Sequence, residues 1–279
     1  MPGPIAVALD GVPLYGKDAN GVSWDVQRLD GWDSPDVRLD FAARPAAHGS
    51  YDSDVWYAER KPTIEGTFFA PTFAAQRQAE QALSRLTSSL QPVPLQVDEP
   101  PYSRQLMVKR AGRLTLTQIG LVTQYSLPLV APDPRRYDVT SISSSTGLPS
   151  DGVGFGPPFG APFGSGISGT SGALNLTNVG DIESWPTLTI TGPVLDPVVR
   201  NNTTGDELRF TIDLPAGSFL TIDTAERTIL LDGTANRRNA LLTGSRWPPI
   251  VPGSNEFVFR AAVFSATASL TVRFQSAWA

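Results

Sequence analysis

The chain alternates apolar and polar residues over short runs that end in turn residues. "PIAVALDG", "SWDVQRLDGW" and "DVRLDFA" read as strands closed by Asp-Gly or Ser-Pro turns. "VWYAERKPTIEGTFFAP" follows, with Pro62 marking an edge strand or a strand end. One stretch has a helical period instead. In "PTFAAQRQAEQALSRLTSSLQP", Ala79, Leu83, Leu86 and Leu90 form an apolar stripe and Gln76, Arg77, Glu80 and Arg85 occupy the remaining surface. Thr72 suits the N-cap, and Pro92 stops the helix. Strands resume in "PLQV", "RQLMVKRAGRLTLTQIG" and "VTQYSLPLVAPDPRRYDV".

The pattern breaks in the middle. Residues 141–172, "SISSSTGLPSDGVGFGPPFGAPFGSGISGTSG", are mostly Ser, Gly and Pro, with Phe155, Phe159 and Phe163 at intervals of four. The expectation is a linker, or an extended arm whose rings plug into a neighbour, over 140–173. That places one domain at 1–139 and a second at 174–279. The second reads as all β. "ELRFTIDL" puts Leu208, Phe210, Ile212 and Leu214 on one face, and "ASLTVRFQ" does the same with Ala268, Leu270, Val272 and Phe274. Turns such as "NNTTG", "LPAG" and "VPGSN" complete the signature of a β-sandwich or jelly roll.

The hairpin "TIDTAERTILLDG" raises the question of catalysis, because Asp223 and Asp232 close its two runs. A turn centred on Ala225-Glu226 pairs Ile222 with Ile229 and Leu220 with Leu231, a register that gathers four aliphatics on one side. Asp232 then lies opposite Phe219, four residues from Asp223. The carboxylates stand about 13 Å apart at a rise of ~3.3 Å per residue, beyond the ~9.5 Å upper separation of a glycosidase pair. Both aspartates read better as turn residues. His48 is the only histidine, and it lies in a polar loop with Asp52 and Asp54 as the nearest carboxylates in sequence. No Gly-x-Ser-x-Gly elbow accompanies it, and neither catalysis nor metal binding is expected there. "GVGFGPPFG" lacks the strand, helix and Lys-Ser/Thr of a phosphate loop.

Composition narrows the function classes further. Charged residues are only 18% of the chain and the net charge is −5, with the basic pairs Arg135-Arg136 and Arg237-Arg238 isolated, so nucleic-acid recognition is not expected. Cysteine is absent, which removes disulfides, thiolate metal sites and a Cys nucleophile and fits assembly in a reducing cytoplasm. "MPGPIAVALDG" does not read as a signal peptide, and no apolar run reaches the ~18 residues of a membrane helix. No cofactor is expected.

Two blocks carry a resemblance. The first runs from "GWDSPDVRLDFAARPAAHGSYDSDVWYAERKPTIEGTFFAP" to "APDPRRYD". The second contains "NVGDIESWPTLTITG", "LTIDTAERTILLDG" and "SRWPPIVPGSNEFVF". Together they resemble the distal tail proteins, also called minor tail proteins, of long non-contractile-tailed phages (siphophages). The resemblance covers nearly everything except the Gly/Pro-rich middle. It implies a mainly β chain with two domains. The N-terminal one would be a β-barrel-like belt related to tail-tube proteins, with one α-helix. The C-terminal one would be a galectin-like or jelly-roll sandwich. It also implies a structural virion protein, not an enzyme. Six copies would form a ring that joins the tail tube to the baseplate hub and adsorption apparatus, after assembly in the host cytoplasm. The alternative is a carbohydrate-binding tail protein whose sandwich contacts host cell-wall glycan, with Trp247 or Trp278 as the aromatic platform.

Overall fold

The computed structural model describes residues 6–86, 88, 91–150 and 170–279. The chain divides into two compact units, Met1–Val139 with Ala279 and Thr140–Trp278. Phe155, Phe159 and Phe163 lie outside the described residues.

The N-terminal unit is built from two antiparallel sheets. One runs in the order Val12–Pro13, Ala6–Leu9, Val93–Glu99, Tyr102–Arg110; the other runs Thr115–Ile119, Val122–Val130, Thr63–Phe69, Ser23–Asp30, Gly16–Lys17. A short pairing of Leu129 and Val130 with Arg110 and Lys109 joins them. The order never returns to its first strand, so among the described residues the barrel-like unit stays open. Period-two alternation sends Val7, Leu9, Leu95, Val97, Leu106 and Val108 from the first sheet and Trp24, Val26, Ile64, Phe68 and Leu127 from the second into one core. Pro62 stands just before Thr63–Phe69, a strand paired on both sides, so it marks a strand end. Gly66 sits in that central strand for a spatial reason. A Cβ there would lie 2.4 Å from the Asp25 carbonyl oxygen and 2.6 Å from the Tyr125 hydroxyl.

The helix spans Phe73–Leu86. The Thr72 hydroxyl accepts the Ala75 amide at 3.1 Å, satisfying one of the free first-turn donors. Of the predicted stripe, Ala79 and Leu83 face the core and Leu86 packs partly buried against it, while Leu90 lies outside the described residues; Ala75 is buried with them. Gln76 and Glu80 depart from the expected solvent face and are buried. A polar cluster explains this. The Gln76 amide donates to the Gly120 carbonyl at 3.1 Å and to the Thr123 hydroxyl at 2.8 Å, while Glu80 accepts from Gln118, Thr123 and Arg77. Burial of polar side chains is tolerable when their hydrogen bonds are made inside.

The C-terminal unit is a sandwich. Its larger sheet runs Ile142–Gly147, Ser269–Phe274, Thr187–Thr191, Phe219–Asp223, Thr228–Leu231, Ala235–Asn236; a second runs Ala173–Asn178, Gly253–Arg260, Val198–Asn201, Glu207–Arg209. Leu188, Ile190, Leu220, Ile222, Leu270 and Val272 pack in one core with Leu176, Val199, Leu208, Phe257 and Phe259. Ala268 and Phe274 are buried as the alternation predicts. "ELRFTIDL" has the expected inward face but is not one strand: it breaks into Glu207–Arg209 and Asp213–Leu214.

The expected linker or arm over 140–173 needs correction at both ends. Ile142–Gly147 is an edge strand paired with Ser269–Phe274, and Ala173 opens the next strand. A Ser/Thr-rich strand carries little apolar signal because at a sheet edge it is held mainly by its backbone ladder and by polar contacts such as Ser145 with Thr271 at 2.8 Å.

Candidate functional site: an exposed hairpin arm

The hairpin that raised the question of catalysis has the predicted register. Leu220 pairs with Leu231, Ile222 with Ile229, and Asp223 with Thr228. Asp223 Oδ1 accepts the amides of Ala225 and Glu226, each at 2.9 Å, and so builds the turn. Asp232 works at the other end, where its Oδ1 accepts the Phe219 amide at 3.0 Å. Its φ of 49° places it in the left-handed region that the Asp-Gly turn needs. The structure therefore does not bring the two carboxylates together.

His48, Asp52 and Asp54 all lie exposed in the loop between Val37 and Tyr57, and no group of metal-ligating side chains occurs among the described residues. Trp185 is half-buried. The two tryptophans considered as sugar platforms are both covered. Trp278 is 6% exposed, and the Arg238 guanidinium lies 4.7 Å above the Trp247 ring, which itself packs against the core.

The turn motifs of the second half have a physical role that sequence patterning alone did not assign. Asn178, Asn201 and Asn255 are buried, and each fastens loop backbone. Asn178 Nδ2 donates to the Ile182 carbonyl at 2.8 Å and to that of Ile250 at 3.1 Å. Asn201 Nδ2 donates to the Pro249 carbonyl at 2.7 Å, and Asn255 Nδ2 to that of Val251 at 2.7 Å. Gly180, two residues beyond Asn178, leaves no room for a side chain, because a Cβ would fall 1.8 Å from the Ala277 carbonyl oxygen.

The most unusual surface is in the N-terminal unit. Between buried Pro35 and buried Arg60, no residue from 36 to 59 is buried. "DVRLDFA" reads as an ordinary strand in sequence, yet only Val37–Arg38 is a strand, paired with Trp56–Tyr57. The legs continue through an Ala43–Ser50 bridge to a tip where Ala46 and Gly49 adopt positive φ. Val37, Leu39, Phe41, Tyr51, Val55, Trp56 and Tyr57 are all exposed, Trp56 by 63%. An isolated two-stranded hairpin is marginal in water; Val37 pairs with Tyr57 and Arg38 with Trp56, so the arm exposes apolar side chains on both faces of its ribbon, as a contact element does.

The arm is firm at its root. The backbones of Arg60 and Ala131 exchange hydrogen bonds at 3.0 and 2.8 Å. The Arg60 guanidinium donates to the Pro134 carbonyl at 2.8 Å and to the Trp32 carbonyl. Burial pushes this guanidinium down to about 10, with repulsion from Arg136 adding to the shift. The Trp32 indole N–H donates to Glu99 at 2.9 Å.

Comparison with known proteins identifies the class of structure. Residues 179–278 match the siphovirus-type tail component, C-terminal domain. The whole chain shares its fold with the Dit protein of phage SPP1, described as a paradigm of the hub adsorption apparatus in phages that infect Gram-positive bacteria. The TM-score is 0.68 at 14% identity, with 99% of each chain covered. A chain of the phage P2 baseplate, in its activated conformation with calcium, matches with a TM-score of 0.53 at 12% identity, covering 98% of each chain. No curated protein sequence matches. The comparisons thus show one tail-component domain and one shared fold. The chain carries the tail-component domain in its C-terminal unit and the Dit fold over its full length.

Proposed function

We propose that this Dit-like chain is a ring-forming structural subunit at the distal end of a siphophage tail. Six copies join the tail tube to the baseplate hub and adsorption apparatus of the virion, following assembly in the host cytoplasm. The hairpin arm over residues 36–59 carries this reading. It is a firmly rooted element with no buried residue of its own, so its apolar surface is built for another protein. Cyclic closure satisfies such surfaces without open-ended growth. The shared fold with SPP1 Dit supports the same role.

On this reading residues 1–139 carry the ring contacts, and the sandwich, which includes the Ile142–Gly147 edge strand, takes no part in them. The glycan-binding alternative has no comparable support, since Trp278 is buried and Trp247 lies under Arg238. Sedimentation velocity on the purified chain over a concentration series tests the proposal. A discrete hexamer is expected, alone or on addition of tail-tube protein. A monomer under both conditions overturns it.

A further inference from the structure

In sequence the pair Arg237-Arg238 stands alone. In the fold it is joined by Arg209, Arg227 and Arg246. The segment from Ala235 to Trp247 crosses the open side of the sandwich. At one end the Arg237 amide donates to the Ile229 carbonyl at 2.8 Å, beside the edge of the larger sheet. At the other, the amides of Leu242 and Arg246 donate to the carbonyls of Arg209 and Glu207 at 2.9 and 2.8 Å, on the edge strand of the second sheet. The Arg238 guanidinium donates to the Arg227 carbonyl, which ties the hairpin turn to the same place, and lies 4.7 Å above the Trp247 ring. Packed sheets stand ~10 Å apart. That is about one Debye length at 0.1 M salt, so the fields of these arginines add.

The ridge is short of acid. From Gly233 to Asn255 there is no Asp or Glu. Glu207 pairs with Arg209 at 2.5 Å, and Glu226 is the sequence neighbour of Arg227. Among the described residues no ion pair engages Arg227, Arg237, Arg238 or Arg246. Arg227, Arg238 and Arg246 are exposed and Arg237 is half-buried. In a chain whose net charge is −5, this concentrates positive potential on one face.

The surroundings narrow the partner. Thr234, Asn236, Asn239, Thr243 and Ser245 line the crossing, and Leu242 is its one exposed large apolar side chain. A protein partner needs an apolar centre to its contact, which this ridge does not offer. A neutral sugar needs a bare aromatic face, and Arg238 already lies over Trp247. We propose that the ridge binds a polymer of phosphodiester-linked, hydroxyl-bearing units. The guanidinium groups take the phosphates, and the Asn, Thr and Ser side chains take the hydroxyls. Phosphate fits better than carboxylate because its tetrahedral oxygens can be met from several directions, and these arginines arrive from a hairpin turn, a 3-10 turn and a loop. The site lies within the C-terminal unit and does not depend on the ring.

Calorimetric titration of the full-length chain with poly(glycerol phosphate), over a salt series, tests the proposal. Four phosphate contacts at ~0.7 each predict that log K falls with log salt at a slope of about −3. Arg227→Asn combined with Arg246→Gln removes two of them, and asparagine suits the φ of 55° at position 227. The double variant should bind roughly twentyfold more weakly at ~0.1 M salt, with a slope shallower by about 1.4 and the melting temperature of the parent. Polygalacturonate, which carries carboxylates instead, and double-stranded DNA should both bind more weakly than poly(glycerol phosphate). Equal binding of either would reveal a general response to negative charge and overturn the proposal. So would no binding of poly(glycerol phosphate), or binding that the double variant leaves unchanged.

Discussion

Trp56→Ala separates an interface role for the arm from a role in holding the subunit together. Trp56 is 63% exposed, so roughly 150 Å² of its surface is free to be covered by a neighbour. At ~25 cal/mol per Å² that is about 4 kcal/mol of burial. Ordering the side chain costs about 1 kcal/mol, which leaves a net contribution near 3 kcal/mol, or roughly a hundredfold in affinity per contact. Truncation removes little from the free subunit, where substitutions at exposed positions stay within about 0.5 kcal/mol. Two measurements on the same sample read these effects. Sedimentation velocity should show assembly shifted to much higher concentration. Thermal unfolding of the dissociated chain should superimpose on that of the parent. Unaltered assembly, or a melting loss as large as that of a core truncation, would show that the arm is not an intersubunit contact.

Other substitutions test the packing that supports these surfaces. Ile222→Ala, at a fully buried position, should cost about 2–5 kcal/mol in chemical denaturation, whereas Asp223→Asn should cost only ~0.5–2 kcal/mol for its turn hydrogen bonds; equal losses would contradict the hairpin assignment. Gly66→Ala drives a methyl group into the Asp25 carbonyl and the Tyr125 hydroxyl and should cost ~1–3 kcal/mol or prevent folding, so a neutral result would mean the central sheet is wrongly described. Arg60→Leu leaves the Trp32 and Pro134 carbonyls without their donor and should cost about 2–4 kcal/mol, with faster hydrogen exchange at the root of the arm; unchanged exchange at Ala131 would argue against Arg60 as its anchor.

The parts of the structure legible in the sequence are those where one side of an element is buried in its own unit. Leu270, Val272 and Phe274 alternate because a single core lies beneath them, and Leu220, Ile222 and Ile229 fix the hairpin register for the same reason. A one-residue slip would turn that whole set outward. The illegible parts depend on what lies across from a residue. Gln76 and Glu80 look solvated on a helical wheel, but Thr123 and Gln118 meet them from another strand. Ile142–Gly147 is hidden because backbone pairing at an edge asks little of its side chains. The arm shows the limit most clearly. Val37, Leu39 and Phe41 carry the strand signal of a buried run, and sequence spacing does not show that no core of the same unit covers them. The exposure pattern supplies that information from outside the local sequence.

The ring itself is tested most directly by electron micrographs of the purified full-length chain, alone and with tail-tube protein. The account predicts closed annular particles whose end-on class averages have six-fold symmetry, and their loss in Trp56→Ala. Monomeric particles in both samples, or rings unaffected by loss of the arm's tryptophan, would contradict it.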